Sequence, residues 1–246
     1  TDFDDFTVER YRGLLRLAGK SYGFCSYRQI PLGRRFVLWR HDCDISLNRA
    51  ARLAEVEHEE GAQATYFINL HSEFYNPLEK SQSKLIHQIL ESGHELGLHF
   101  DIKYSRLLNS SALEEQINHE KEILHRFFGA ALTAVSFHNA QETLSALDQE
   151  VYRGLVNCNS KTLKEQVPYV SDSNGYWRFR RLRDVLESAE DLCLQVLTHP
   201  VWWQDRPLPP WQKIRRSVDG RVASTLSDYE QVLAEDNRTN VGKKSN

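Results

Sequence analysis

The sequence predicts a single α/β domain built on a mostly parallel, barrel-like sheet. Three observations lead there. Short apolar runs alternate with helix-length amphipathic segments along most of the chain, as βαβ units require. Residues of catalytic type gather where those runs end, the place where parallel sheets collect functional groups. The 246 residues, 40% hydrophobic and 26% charged, suit one globular core.

Phe36-Val37-Leu38-Trp39-Arg40 reads as a buried strand, apolar until its last residue. A helix is expected over Ser46 to Glu60, with Leu47, Ala50, Ala51, Ala54 and Val56 on one face and Gly61 just past its end. Ala64 to Ile68 is the second strand. Lys84 to Glu91 follows as a helix carrying Leu85, Ile86, Ile89 and Leu90, stopped near Gly93. His94 to Phe100 is the third strand and Leu132 to Phe137 the fourth. Between them runs a long helix, Ser111 to Phe128, opened by the capping box Ser111-Ala112-Leu113-Glu114. A helix near Leu144–Tyr152, a strand near Leu155–Asn157 and a last clear strand from Asp191 to Thr198 complete the alternation. Arg206-Pro207-Leu208-Pro209-Pro210 breaks it. The domain is therefore expected over residues 1–217, with 218–246 a polar tail that frays from Glu235 onward.

Composition removes some classes of function. A net charge of −3 and a pI near 6.4 leave no basic footprint, which argues against DNA or RNA as a partner. No apolar run approaches the roughly 20 residues of a membrane helix. Cys25, Cys43, Cys158 and Cys193 are scattered without C-x-x-C spacing, so free thiols in a reducing cytoplasm are expected. The acidic start Thr1–Asp5 lacks the order of a secretory signal. Because the chain holds no Met, an exported form whose leader ended before Thr1 is the alternative. Nothing in the sequence sets an oligomeric state.

Four strand ends carry His or Asp: Arg40-His41-Asp42-Cys43-Asp44, His99-Phe100-Asp101, Phe137-His138-Asn139 and Leu197-Thr198-His199-Pro200. Alternation along an extended strand points Asp42 and Asp44 the same way, about 7 Å apart. Carboxylates that close repel unless a cation or proton lies between them. A zinc-like ion held by Asp44, His99 and one further ligand would bring a water's pKa toward about 7. Asp42 would then take the proton as general base, and His199 would protonate the leaving nitrogen or oxygen. The competing readings are a helix N-cap for either aspartate and backbone-bonded core histidines. His41, His58, His71, His87, His94, His119 and His125 receive no role. Three of these lie in helical stretches beside Glu residues, and His94 opens its strand at the wrong end.

In order and spacing these motifs resemble those of the polysaccharide deacetylase (NodB-homology) superfamily, carbohydrate esterase family four. Within it the chain resembles the WbmS-like branch linked to surface-polysaccharide biosynthesis. The resemblance runs from about Phe36 to Trp203. It implies a distorted (β/α)7 barrel and a divalent metal, zinc first, with cobalt, nickel or manganese as alternatives. The implied activity removes an acetyl or formyl group from the nitrogen of an amino sugar or other small N-acylated carbohydrate. His41-Asp42-Cys43-Asp44 resembles the family's first motif, with Asp42 as base and Asp44 as ligand. Gly93-His94-Glu95-Leu96-Gly97-Leu98-His99 resembles the second, with His99 as ligand, and Leu197-Thr198-His199 the closing motif, with His199 as acid.

The departures are specific. The family's second metal histidine falls on Lys103, and a protonated ammonium has no lone pair for a metal. The third ligand is left to Asp101, which shares a strand face with His99, or to His138, favoured because a second imidazole suits zinc. Ser136-Phe137-His138-Asn139 stands where an arginine normally orients the base, so His138 is alternatively that orienting group. Tyr169-Val170-Ser171-Asp172-Ser173 with Trp177-Arg178 resembles the aspartate-and-tryptophan motif of the pocket wall. Asp172 there contacts the substrate side and orients His199, or else forms a plain turn before Asn174-Gly175. Trp202 and Trp203 are expected as faces for a sugar ring. Two further readings stay open: hydrolysis of another C–N or ester bond, and a degenerate member that binds a glycan without turning it over.

Overall fold

The computed structural model describes residues 3–31, 33–105, 110–138 and 147–242. Helix α1 (Val8–Gly19) and the short strand β1 (Gly23–Cys25) precede β2 (Phe36–Cys43), which is buried along its whole length. Its apolar run reflects cover on both faces, as in parallel sheets. The alternation continues through α2 (Leu47–Glu59), β3 (Thr65–Ile68), α3 (Lys80–Glu91), β4 (Glu95–Asp101), α4 (Ile102–Ser105), α5 (Ser110–Phe128) and β5 (Ala134–His138). Then come β6 (Val151–Tyr152), β7 (Leu155–Asn157), α6 (Lys161–Gln166), β8 (Tyr169–Ser173), β9 (Tyr176–Trp177), α7 (Leu182–Ser188), β10 (Cys193–Thr198) and α8 (Pro210–Glu235).

The sheet order is β6-β7-β5-β4-β3-β2-β10-β8-β9, with β1 paired to β2. All ladders are parallel except the hairpins β6–β7 and β8–β9 at the two ends. The four strands that end in His or Asp thus lie within five consecutive positions, β10-β2-β3-β4-β5. Val37, Trp39 and Cys43 pack outward against the helices, while Phe36 and Leu38 face inward with Phe67 and Ala134. The inward cluster also takes Cys158, Leu163 and Val167, from just beyond β7 and from α6. Gln195 Nε2 in β10 donates to the Cys158 carbonyl at 3.4 Å. Residues four and five strands apart meet only because the sheet curls strongly. Among the described residues no ladder joins β7 to β8, and Leu163 of α6 fills that seam instead.

Two elements differ from the sequence reading. Val151–Tyr152 is a strand, because Arg153 and Gly154 both adopt positive φ (49° and 81°) and form a tight hairpin turn onto β7. Leu144, the start of the helix expected there, lies outside the described residues. The polar tail expected from 218 is instead the continuation of α8, which runs unbroken through Ser217. Pro210 opens this helix at its first position, where a missing N–H is harmless. The capping box Ser111–Glu114 lies inside α5, whose first residue is Ser110.

Gly97 marks the tightest place in the sheet. A Cβ there would meet the Phe67 ring at 2.5 Å, and that ring carries the Arg40 guanidinium 5.0 Å above its centroid. Gly97→Ala is expected to lower the unfolding free energy by about 1–3 kcal/mol through overpacking. Urea denaturation checks this, an unchanged midpoint meaning that the ring has room to yield.

Candidate metal and acid–base site

Asp44 follows β2 directly. Its Oδ1 lies 2.9 Å from His99 Nε2 in β4 and 3.4 Å from His138 Nδ1 in β5, and the two ring nitrogens are 3.2 Å apart. These three ligand atoms fall within 4.8 Å of one another. Asp44 Oδ1 is buried, yet no neighbouring N–H is angled to donate to it. A dry carboxylate oxygen without a donor is costly, and two imidazole nitrogens beside it complete an N2O set of the kind zinc takes. The residues fit a divalent cation. Burial pushes the Asp44 carboxyl up, but the adjoining imidazoles of His138 and His99, with His199 beyond them, outweigh it and hold the group well below its usual range.

Asp101 is not part of this set. Its Oδ1 accepts from the amides of Lys103 (2.9 Å) and Tyr104 (3.1 Å), because the chain turns into α4 at Ile102 and the aspartate caps that turn. Lys103 itself is exposed. The third side chain grouped with Asp44 and His99 is His138.

Asp42 sits one pleat deeper. Arg40, two residues earlier on the same face, donates from Nη2 to Oδ2 (2.8 Å) and Oδ1 (3.2 Å), and both side chains are almost fully buried. Burial alone pushes the Asp42 carboxyl up; the charges of Arg40, then His99 and His199, outweigh it and hold the group ionised. Ser136 Oγ lies 2.6 Å from His99 Nδ1 and 3.4 Å from Asp42 Oδ1. A relay in which His99 Nδ1–H donates to Ser136 and Ser136 donates to Asp42 leaves His99 Nε2 bare, facing Asp44. That is the tautomer a metal ligand needs.

The third component comes from β10 and β8. His199 Nδ1 donates to Asp172 Oδ1 at 2.5 Å, and the His199 amide donates to both oxygens of the same carboxylate (3.1 and 3.0 Å). Burial lowers the imidazole's pKa, but Asp172 foremost, then Asp44 and Asp42, raise it to about 9. His199 is therefore cationic near neutrality, with Nε2 3.7 Å from Asp44 Oδ2.

Neither a protein-family model nor a curated protein sequence matches this chain. Solved structures do. The Bc1960 peptidoglycan N-acetylglucosamine deacetylase, in complex with a naphthalenyl N-oxidanyl-benzamide, superposes with a TM-score of 0.50 at 15% identity, over 85% of this chain and 87% of that one. This chain has the NodB-type polysaccharide deacetylase fold. A family 4 carbohydrate esterase from Bacillus anthracis (TM-score 0.47, 15% identity, 87% and 86% covered) is also similar. So is the catalytic domain of a peptidoglycan N-acetylglucosamine deacetylase from Eubacterium rectale (0.47, 13%, 81% and 90%). At these identities the likeness concerns the fold alone.

Within the deacetylase fold some expected roles move. His138, considered as a partner for Asp42, instead turns Nδ1 to Asp44 and His99, and Arg40 is the side chain that holds Asp42. The signal was present in Arg40-x-Asp42, the same i, i+2 relation that pairs Asp42 with Asp44. Ser136 was overlooked because a lone serine in a strand carries no chemical signature. Asp172 is fully buried and reaches His199 rather than open space. Trp202 and Trp203 are buried too, so they offer no face to a sugar; the Trp203 ring packs 5.0 Å from Phe6 and 4.7 Å from Tyr11. The cause lies in the backbone after the turn Pro200–Trp202. There the Gln204 amide donates to Phe6 O (3.1 Å), and Gln204 O accepts from the Val8 amide (2.8 Å), drawing both tryptophans inward. His41, left without a role by the sequence, is buried between Glu57 (2.6 Å from Nε2) and Thr198 (2.7 Å from Nδ1). It ties the β2 end bearing Asp42 to the β10 end that leads into His199.

Proposed function

We propose that this chain is a metal-dependent hydrolase that removes an N-acyl group, acetyl or formyl, from an amino sugar of a surface polysaccharide or its precursor. One observation carries the reading: an arginine-held carboxylate and an aspartate-held imidazolium flank a two-histidine, one-aspartate cluster on a single rim. Asp44, His99 and His138 would hold the cation, which when bound supplies Lewis acidity to a water and to the acyl carbonyl. Asp42 accepts the proton of the attacking water, and Arg40 keeps that carboxylate ionised and aimed. With Nδ1–H committed to Asp172, His199 delivers its proton from Nε2 to the departing nitrogen. His138 completes the ligand set that Lys103 would otherwise leave short, which favours an active enzyme over a binding-only member.

The test is amine or acetate release from N-acetylated and N-formylated amino sugars and chitooligosaccharides by zinc- and cobalt-loaded protein. Release is expected, with a loss on the order of 10²–10⁴-fold in Asp42→Asn at unchanged metal content. Equal rates in the two proteins, or no release from either class of substrate, would refute the reading.

A further inference from the structure

Helix α8 buries a lysine. Lys213 is fully enclosed, and its Nζ has no hydrogen-bond partner among the described residues. A charge taken out of water is costly unless something nearby compensates it. The Phe6 ring does so in part, with Nζ 5.0 Å from its centroid. That ring stacks on Trp177 at 5.2 Å and lies 5.0 Å from Trp203, so the ammonium caps an aromatic cluster. Burial lowers the Lys213 pKa to about 8, and the charge that opposes this shift is that of Asp172. The backbone brings the two into one region. Trp177 is the direct antiparallel partner of Asp172 in the β8–β9 hairpin. Opposed residues of such a pair point to the same side, so the Asp172 carboxylate shares a face with the rings under Lys213. Pro210 holds the start of α8 over the same hairpin: a Cβ on Gly175, in its turn, would meet Pro210 Cγ at 3.2 Å.

Asp172 is itself fully buried, and among the described residues every hydrogen bond to its carboxylate comes from His199. In the hydrolysis proposed above, on which this inference rests, His199 gives up its proton and becomes neutral. The carboxylate behind it is then a buried anion with no cation in contact, and forming one raises the barrier to proton transfer. With an ammonium beside them, Asp172 and His199 pass from one net positive charge to none. Without it they pass from none to one net negative charge. We propose that Lys213 is the resident counter-charge of Asp172, a positioning residue that touches no reacting atom and eases release of the His199 proton to a poor leaving group.

Lys213→Met removes the charge and keeps most of the side-chain length. The zinc-loaded proteins are compared near neutrality on two substrates that differ in their need for an acid. An N-acetylated chitooligosaccharide releases an amine that has to be protonated as it departs, whereas p-nitrophenyl acetate releases a phenolate that leaves unaided. The variant's kcat on the amide is expected to fall at least about 10-fold, part of the 10²–10⁴-fold that a general acid supplies, with KM and the ester rate within about 2-fold. Equal losses on the two substrates would overturn the role while leaving the hydrolase reading intact. Wild type that hydrolyses neither would sink the hydrolase reading and this role with it. Urea midpoints of the metal-free proteins give a readout independent of activity. Lys213→Met is expected to raise the midpoint more in Asp172→Asn than in wild type, because there the buried ammonium has lost its counter-charge. The same shift in both backgrounds would show that the two charges do not interact, and the proposal would fall.

Discussion

Asp44→Ala is expected to abolish metal retention and activity together. Elemental analysis should show wild-type protein keeping about one equivalent of zinc after loading and desalting, and the variant less than about a tenth. Activity should fall by roughly 10³-fold or more, since the cation that Asp44 would help to hold is what would supply Lewis acidity. A thermal readout separates this from misfolding. Zinc at about 100 times its Kd stabilises a protein that binds it only when folded by about 2.7 kcal/mol. The wild-type melting temperature should therefore rise on zinc addition while that of Asp44→Ala stays put. Asp101→Ala is the control, expected to keep its zinc because that carboxylate caps α4. Zinc loss in Asp101→Ala with retention in Asp44→Ala would overturn the ligand assignment.

Arg40→Met is expected to damage both stability and chemistry. The substitution leaves Asp42 buried without its cation, and breaking a buried ion pair from one side costs about 3–5 kcal/mol. Activity should drop on the order of 10²–10⁴-fold as the carboxylate loses its aim. The double variant Arg40→Met/Asp42→Leu distinguishes the two effects. With both charges gone, most of the stability should return, because apolar replacement of a whole buried pair is often neutral, while activity stays absent. Denaturant midpoints and rates measured on the three proteins check this. A stable, active Arg40→Met would mean that Asp42 is solvated and aimed by something else.

Much of the strand and helix pattern was legible in the chain. β2, α2, β3 and β4 have strong periodicity and, at α2 and α3, glycines with positive φ at their ends, Gly61 and Gly93. α8 was misread because the breaker Arg206–Pro210 precedes it and most of its apolar side chains, Val218, Val222, Leu226, Tyr229 and Val232, are exposed. At the site, Asp42, Asp44, His99 and His199 were readable because each closes a strand run.

By itself the sequence determined which residues stand at the carboxyl rim and on which side of their own strands they fall, since period-two alternation is a local property. Tertiary structure decided everything that depends on neighbours. It brought His138 rather than Asp101 beside Asp44 and His99, because the chain turns into α4 directly after Asp101 while β5 lies beside β4. It gave Asp42 to Arg40, gave His199 to Asp172 from the adjacent strand, and drew Trp202 and Trp203 into the core through pairing with the N-terminal segment. Side-chain direction follows from a residue's own φ and ψ, but its partner depends on which distant segment packs alongside, and that is settled only when the whole sheet curls.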